Sequence, residues 1–459
     1  MSRVGQGGGA GPGSWESHRA LLTDLYQLTM VHAYWREGMA DQSIFSLFIR
    51  DLPPSRNFAL ACGLATVLEH LEQLRFHPDD LDWLASLPQF DRSFADWLEG
   101  FRFTGQVRAM PEGTPVFSQE PILEVRAPLP QAQLFETLIV NQLHVQTLIA
   151  SKAARVALAA GGRPVVEFGL RRIHGADAGL KVARAAYLAG MAGTSNVLAG
   201  KLFQVPILGT MGHSYIQAHE SELEAFRVFA RQYQETVLLV DTYDTEEGVR
   251  NVVRLAEEMG DDFTVRSVRL DSGDLARLAA TARQILDEAG LERVRIFASG
   301  GLDEHTIEEL LGAGAPIDGF GVGTRLGVSM DAPALEIVYK LVEYGGEGRL
   351  KLSRGKSILP GAKQVFRVEE EDEAAGDTIG RSGEELPGRP LLEPVMAEGA
   401  TLAAGRVGLA ESRALAAREL GRLPARLRRL SPADPPYPVA VSPALSELSA
   451  RVRRGVFST

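Results

Sequence analysis

Six short stretches of this sequence combine glycine with charged or hydroxyl side chains, and each stands at the end of an apolar run. They are Glu167-Phe168-Gly169-Leu170-Arg171-Arg172, Gly209-Thr210-Met211-Gly212-His213-Ser214, Asp241-Thr242-Tyr243-Asp244, Arg269-Leu270-Asp271-Ser272-Gly273-Asp274, Ser299-Gly300-Gly301 and Gly321-Val322-Gly323-Thr324-Arg325. Arg269 and Asp271 are two residues apart at a predicted strand end, so strand alternation points both the same way. A guanidinium beside a carboxylate suits a phosphorylated sugar: the arginine clamps phosphate or carboxylate oxygens, and the aspartate takes ribose hydroxyls or Mg²⁺. An ion pair that only braces the rim is the simpler alternative. Gly300 and Gly301, and Gly323 with Thr324, each stand between a strand and a helix. Glycine there lets backbone N–H groups converge on an anion, aided by the positive end of the following helix; tight turns alone would also use glycine. Phe168 beside Arg171 and Arg172 offers an aromatic face and a cation to a flat anionic ring, with one of the two arginines an ordinary surface residue. His213 could be a base, a ligand, a phosphoryl acceptor or a structural group. His213 and His219 have no third partner at zinc-ligand spacing, and no nucleophile elbow is present, so catalytic zinc and serine-hydrolase chemistry are set aside.

Positioning six such tips requires a scaffold of repeated strands. From about residue 163 to 344, apolar runs alternate with helical patterns: 165–168, 205–208, 237–240, 265–270, 294–297 and 317–322. Helices over 248–259 and 275–289 stop at Gly260 and Gly290. Such alternation implies a parallel sheet, because a crossover helix must cover its face. Six units favour an α/β barrel, whose working residues project from the C-terminal strand ends. A doubly wound open sheet is the alternative, though no dinucleotide-type glycine fingerprint opens the first unit. Before this region, a strand over 43–48, a helix over 57–76 and a proline-punctuated segment lead into a long helix over 129–160. After it, strands over 348–352 and 362–367 flank an acidic turn at 369–373, and a helical stretch covers 411–430. The expected division is a flexible tail (1–17), a first part of an outer domain (18–128), the barrel (129–344), and the outer domain's remainder with a tail (345–459).

With 459 residues, the chain exceeds the size at which one core stops growing. A net charge of -11 without a strong basic arm argues against nucleic acid as partner. The basic stretch from Arg413 to Arg429 is interleaved with Ala and Leu and reads as a solvated helix face. No apolar run is long enough to span a membrane. The single cysteine, Cys62, excludes an internal disulfide, reads as a buried small hydrophobe, and fits a cytoplasmic setting.

Taken together with Leu22-Thr23-Asp24-Leu25-Tyr26-Gln27-Leu28-Thr29-Met30 near the start, these tips resemble those of the nicotinate phosphoribosyltransferases over about residues 18 to 400. The resemblance implies an irregular TIM-like α/β barrel joined to an open-faced α+β sandwich made from both chain ends. It also implies nicotinate, phosphoribosyl pyrophosphate and ATP as substrates, Mg²⁺ as cofactor, a place in NAD salvage, and a homodimer with shared active sites. In those terms His213 would be phosphorylated by ATP, and Tyr26 of a partner subunit and Phe168 would sandwich the pyridine ring. Arg171, Thr210 and Arg269 would surround nicotinate and sugar phosphate, with Ser214 beside His213. Asp271 would hold ribose or Mg²⁺, and Gly300, Gly301, Gly323 and Thr324 the 5′-phosphate. Ser195, in Gly193-Thr194-Ser195-Asn196-Val197, stands where the related nicotinamide enzymes carry an aspartate, and the absence of that charge favours the acid substrate. Nicotinamide phosphoribosyltransferase is the nearest rival; quinolinate phosphoribosyltransferases are much shorter and lack the histidine motif. A sugar-phosphate isomerase or a non-catalytic scaffold are rivals of other classes.

Overall fold

A computed structural model describes residues 15–353 and 358–456. The glycine-rich stretch Met1–Ser14, expected as a tail, lies outside the described residues.

The chain's two ends meet in one antiparallel sheet of seven strands. Strand Gln42–Ile49 lies between Ile337–Tyr344 and Pro121–Pro128, and Gln106–Ala109, Glu393–Ala397 and Ala400–Thr401 extend the far side. Strand 42–49 is buried over seven of its eight residues, which is why it reads as an apolar run rather than an alternation. Phe45 stacks on Tyr339 across the strand pair at 4.8 Å. Helix α1 (Leu25–Arg36) and the helices Leu64–Gln73, Pro78–Ala85 and Arg92–Glu99 belong to the same core. A second sheet of four strands is built from residues beyond 363 and includes Val439–Val441. Its central hairpin turns at Glu371 and Asp372, both at positive φ, where acidic turn residues were expected.

The parallel sheet comprises β1 (Val165–Glu167), β2 (Gly193–Thr194), β3 (Val237–Leu239), β4 (Ser267–Leu270), β5 (Arg295–Ala298) and β6 (Gly319–Val322), in the order β2-β1-β6-β5-β4-β3. First and last strands pair, as in a barrel, yet the curl stays open between β2 and β3. The strand expected over 205–208 is reduced to one bridge, Thr194 to Ile207. Pro206 has no N–H to give a ladder, and residues 206–209 are exposed. The same part of the chain holds helices α2 (Glu136–Ala159), α3 (Ala176–Leu188), α4 (Val197–Phe203), α5 (His213–Gln217), α6 (Thr245–Met259), α7 (Leu275–Glu288), α8 (Glu304–Gly312) and α9 (Thr324–Gly327), with a further helix, Glu222–Gln232, between α5 and β3.

Other expectations shift at their boundaries. The helix expected from residue 57 begins at Leu64, because 59–60 pairs as a strand and Gly63 turns the chain at φ +109°. The helix expected over 129–160 is two, Leu129–Leu134 and α2, divided at Phe135. Strand 348–352 stops at Gly348. The helix over 411–430 is Leu409–Gly421 and Ala425–Arg428, and its basic face is not wholly solvated: Arg413 donates to the carbonyls of Gly190 and Met191 at the end of α3. A last helix, Pro443–Val456, was not anticipated. Cys62 is buried, and burial pushes its thiol pKa up. No helix among the described residues is long and apolar enough to cross a membrane.

Candidate active site

The C-terminal ends of β1 to β6 bring the glycine-rich tips to one rim. Arg269, on β4, is its hub. Its Nε donates to Ser299 Oγ at 2.8 Å, Nη1 to Thr210 Oγ1 at 2.6 Å and to the Met211 carbonyl at 3.2 Å, and Nη2 to Asp271 Oδ1 at 2.8 Å. One planar fork therefore ties three loops together, which a lysine's single ammonium could not do. Burial by itself would raise the Asp271 pKa, but hydrogen bonds from Arg269 and Ser299 outweigh it and hold the carboxyl below its ordinary value. Asp271 thus stays anionic throughout the neutral range.

His213 opens α5, with Nδ1 3.2 Å from Thr242 Oγ1 and Nε2 3.9 Å from Asp271 Oδ2. Its side chain is 41% exposed, so one edge of the imidazole is accessible at the rim. Asp241 at the end of β3 accepts from the Asp271 backbone N–H (2.9 Å) and from Ser272 Oγ (2.8 Å) through Oδ2, while its buried Oδ1 has no hydrogen-bond partner among the described residues.

Phe168 follows β1, and its N–H continues the ladder to the Val322 carbonyl. Its ring lies 5.8 Å from the Arg269 guanidinium carbon. The ring fits because Gly321 on β6 has no side chain: a Cβ there would stand 2.4 Å from Phe168 Cε2. Glu167, fully buried behind it, accepts from Thr194 Oγ1 (2.5 Å) and the Gly169 N–H, and burial raises its pKa despite those bonds. Ser195 sits alongside, its N–H bonded to the Glu167 carbonyl. A cavity of about 520 Å³ runs from Phe168, Gly209 and Thr210 down the curled sheet to Arg266, Arg295 and Asp318 at the opposite strand ends.

The two late loops face one another. Gly300 has φ +91°, and a Cβ would lie 1.8 Å from the Asp271 carbonyl oxygen; Gly301 has φ +68° and open space beside it. Asp303 caps α8 and also accepts from Arg325 at 2.7 Å, joining the Gly300–Gly301 loop to the Gly323–Thr324 loop.

Comparisons with known proteins bear on this rim. A family model described as the nicotinate phosphoribosyltransferase N-terminal domain matches residues 21–144, and one described as the nicotinate phosphoribosyltransferase family matches 164–375. A nicotinate phosphoribosyltransferase of Mycobacterium tuberculosis is 54% identical over 434 residues, covering 95% of this chain and 94% of that one. The human enzyme of that name is 34% identical over 518 residues, covering 94% and 96%. The crystal structure of human nicotinic acid phosphoribosyltransferase superposes with a TM-score of 0.83 at 32% identity, covering 94% of this chain and 100% of the other. The chain belongs to the nicotinate phosphoribosyltransferase family.

Within that family fold, Phe168, Thr210, His213, Arg269, Asp271, Gly300, Gly301, Gly323 and Thr324 lie on the rim. Arg171 and Ser214 are exposed beside it, and Arg171 makes no hydrogen bond or ion pair with the described residues. Tyr26 stands apart: it begins α1 in the outer domain, is 50% exposed, and has no ring contact or hydrogen bond to the rim residues. Asp241, Thr242, Ser299 and Glu167 were not singled out from sequence as site residues. Their signal was present, since each lies in a tip flagged as polar, but their partners become visible only once the strand order is known.

Proposed function

We propose that this protein transfers a phosphoribosyl group from phosphoribosyl pyrophosphate to the ring nitrogen of nicotinate, giving nicotinate mononucleotide and pyrophosphate, with ATP hydrolysis coupled through His213. The observation that carries this reading is the Arg269 hub, which joins the ring slot at Phe168, the histidine loop at Thr210 and the Asp271 carboxylate in one connected set.

Departure of pyrophosphate leaves cation-like character at the ribose C1, so the chain must anchor the sugar phosphate and hold the ring nitrogen about 3–3.5 Å from that carbon, aligned for attack. The open space beside Gly301 and the Gly323–Thr324 backbone accept the 5′-phosphate. Phe168 lies against one face of the pyridine ring, and Arg171, which has no hydrogen-bond or ion-pair partner among the described residues, is available to the nicotinate carboxylate. Asp271, kept anionic, takes the ribose hydroxyls and faces the developing positive charge. Mg²⁺ fits the same corner: Asp271 and the unpartnered Oδ1 of Asp241 offer oxygen ligands. No group of three or more acidic, histidine or cysteine side chains suited to a metal exists among the described residues. The ion would therefore be held largely by pyrophosphate oxygens and water. When bound, it supplies charge neutralisation to the departing pyrophosphate.

At His213 the phosphoryl step breaks the terminal P–O bond of ATP and forms a P–N bond, releasing ADP; water later returns the histidine and yields phosphate. Nε2 is the open nitrogen, since Nδ1 is engaged by Thr242. The added anion would stand about 4 Å from Asp271, close enough to shift the Arg269–Asp271 pair. This is how ATP would act on the ring site without touching it.

A homodimer with shared sites is the accompanying reading. Leu22, Leu25 and Tyr26 at the start of α1, and Val197, Leu198, Leu202 and Ile207 along the open side of the curled sheet, are exposed apolar groups of the kind that pack against another chain. Tyr26 from one copy would then close the ring slot of the other.

The deciding experiment is product formation with phosphoribosyl pyrophosphate and Mg²⁺, comparing nicotinate with nicotinamide, each with and without ATP, in the wild type and in His213→Ala. Nicotinate-selective turnover, stimulated by ATP only when His213 is present, is expected. Equal ATP stimulation in His213→Ala rules out the phosphohistidine step, and turnover of nicotinamide alone rules out the assigned substrate.

A further inference from the structure

Five charged side chains behind the two glycine loops take no part in the site described above. Lys152 and Arg155, three residues apart on α2, reach Glu304, the first residue of α8: Lys152 Nζ is 2.5 Å and Arg155 Nε 3.1 Å from its carboxylate. Lys152 Nζ is also 2.7 Å from Asp331, four residues beyond α9. Asp331 pairs in turn with Arg56 at 3.0 Å, and Arg56, from the outer domain, donates to Ser329 at 3.1 Å. The side chains of Lys152, Arg155, Arg56 and Glu304 are at most 4% exposed, and that of Asp331 is 22% exposed. Desolvating so many ions is unfavourable unless pairing is excellent, and apolar residues of similar volume are often no less stable. Stability alone is a weak reason for such a cluster.

Its place in the chain supplies a stronger one. Glu304 comes directly after the Gly300–Asp303 loop, and Asp331 closes the segment that begins at Gly323. Each carboxylate is thus the rear anchor of one glycine loop, and Lys152 holds both. In front, Asp303 and Arg325 join the same two loops at 2.7 Å and cancel each other's charge. Behind, three cations (Arg56, Lys152, Arg155) face two carboxylates (Glu304, Asp331), so 3 − 2 leaves one net positive charge buried behind the loops. A buried charge lacking a counter-ion favours an anion nearby, and low dielectric strengthens the effect.

We propose that Lys152 is a positioning residue for the sugar 5′-phosphate that acts by its charge. Paired with Glu304 and Asp331 at the rear of the two glycine loops, it leaves the cluster net positive, and that charge, rather than the bracing of the loops, favours a dianion in front. The inference rests on the reading that places the 5′-phosphate at Gly301 and Gly323.

Charge and scaffolding make opposite predictions for two substitutions, and this sets the test. Lys152→Met brings the cluster to zero net charge, Asp331→Asn brings it to +2, and Lys152→Arg restores +1. For each, KM and kcat are measured for both substrates, with the inhibition constant of ribose 5-phosphate as a probe of the phosphate site. A unit charge about 10 Å from a single phosphate charge, in an effective dielectric of about 20, changes binding by about tenfold, and a dianion feels more. Lys152→Met is therefore expected to raise the KM for phosphoribosyl pyrophosphate and the ribose 5-phosphate inhibition constant by about tenfold or more while leaving the KM for nicotinate unchanged. Lys152→Arg is expected to recover most of the loss, and Asp331→Asn to leave the inhibition constant equal or lower. Weakening of ribose 5-phosphate by Asp331→Asn as large as that by Lys152→Met overturns the proposal, as does a parallel rise in the KM for nicotinate. Should Lys152→Met not fold, Asp331→Asn still decides by the sign of its effect. Gly301→Ala separates the two layers: if it weakens ribose 5-phosphate while Lys152→Met does not, the inference fails alone. If Gly301→Ala also has no effect, the phosphate placement fails with it.

Discussion

Alanine at Gly301 separates what the loop does for folding from what it does for binding. The residue sits at φ +68°, and a Cβ built there meets nothing within 4 Å. The folding cost is then the left-handed backbone alone, about 1–2 kcal/mol, a fall in Tm of about 2–4 °C or less in a chain of this size. In the proposed function, the open space beside Gly301 takes the 5′-phosphate. A phosphate oxygen would accept backbone N–H groups at about 2.9 Å, whereas a methyl carbon needs roughly 3.5 Å from its neighbours. The phosphate must retreat by several tenths of an ångström and lose at least one or two charge-assisted hydrogen bonds, together about 3 kcal/mol or about a hundredfold in affinity. Gly300→Ala is the contrast. Its Cβ would stand 1.8 Å from the carbonyl oxygen of Asp271, which is backbone and cannot swing aside. That variant is expected to lose about 3 kcal/mol or more of stability and to impair both substrates, because the strand end carrying Asp271 has to move. Initial rates against phosphoribosyl pyrophosphate at saturating nicotinate, and the reverse, give the two KM values, and calorimetry gives Tm. Gly301→Ala with near-native Tm and a KM for phosphoribosyl pyrophosphate within about twofold of wild type would refute the reasoning, since a twofold change is well below one such hydrogen bond.

Ser195→Asp, which puts a carboxylate next to the Phe168 slot through the backbone bond from Ser195 to Glu167, should raise the KM for nicotinate tenfold or more, by about 1.4 kcal/mol of like-charge repulsion; competition between nicotinate and nicotinamide checks it, and an unaltered ratio sinks it. Tyr26→Ala and His213→Ala should each lack ATP-stimulated turnover alone but regain about a quarter of the wild-type ATP-stimulated rate when refolded together as mixed dimers, if each site draws Tyr26 from the partner; no recovery on mixing counts against shared sites. His70 lies buried with no hydrogen-bond partner for either ring nitrogen among the described residues, and burial lowers its pKa to about 4, with Arg19 and Lys181 adding to the effect. Its folded pKa is below the unfolded value of about 6.5, so the fold binds the neutral form and stability is lost as pH falls from about 6.5 towards 4. The loss between pH 7 and 5 is about 2 kcal/mol. Urea unfolding of wild type and His70→Leu at both pH values should show that slope only in the wild type.

Much of the parallel sheet was legible because its strands are buried on both faces and read as continuous apolar runs, each ended by a polar tip. Arg269 and Asp271 could be placed on one side by alternation alone, and the 2.8 Å bond between them follows from that. What stayed hidden depended on neighbours distant in sequence. Asp241 and Ser299 became partners of Asp271 only because β3 and β5 flank β4, an order that no local pattern encodes. The run 205–208 looked like a strand by composition, yet Pro206 and the exposure of its neighbours left one bridge and an open side. Residues 58–63 carried a helix-like apolar pattern because each of them is buried, and burial of that kind has no period to read. The ion cluster around Glu304 draws on residues from 56 to 331, each unremarkable where it stands in the sequence.

The arrangement also explains why the rim depends on arginine rather than on any single loop. Parallel strands lie about 4.8 Å apart, so the ends of β3, β4 and β5 present side chains at intervals that one guanidinium can span but one ammonium cannot. Arg269 occupies the middle strand and uses Nε towards β5, Nη1 towards the histidine loop and Nη2 back to its own strand. Every bond fixes the orientation of the others, because the guanidinium is planar and rigid. A change in charge at His213, 3.9 Å from Asp271 Oδ2, therefore cannot be absorbed by Asp271 alone. If Asp271 turns, Nη2 loses its partner, and the fork tilts against Thr210 and Ser299 together, under the Phe168 ring that lies 5.8 Å from its carbon. In the proposed mechanism, phosphorylation at the histidine and stacking at the ring would be coupled through one side chain, and Arg269→Lys should uncouple them: residual turnover would remain, but its stimulation by ATP would be lost. Retained ATP stimulation in Arg269→Lys would show that the coupling runs by another route.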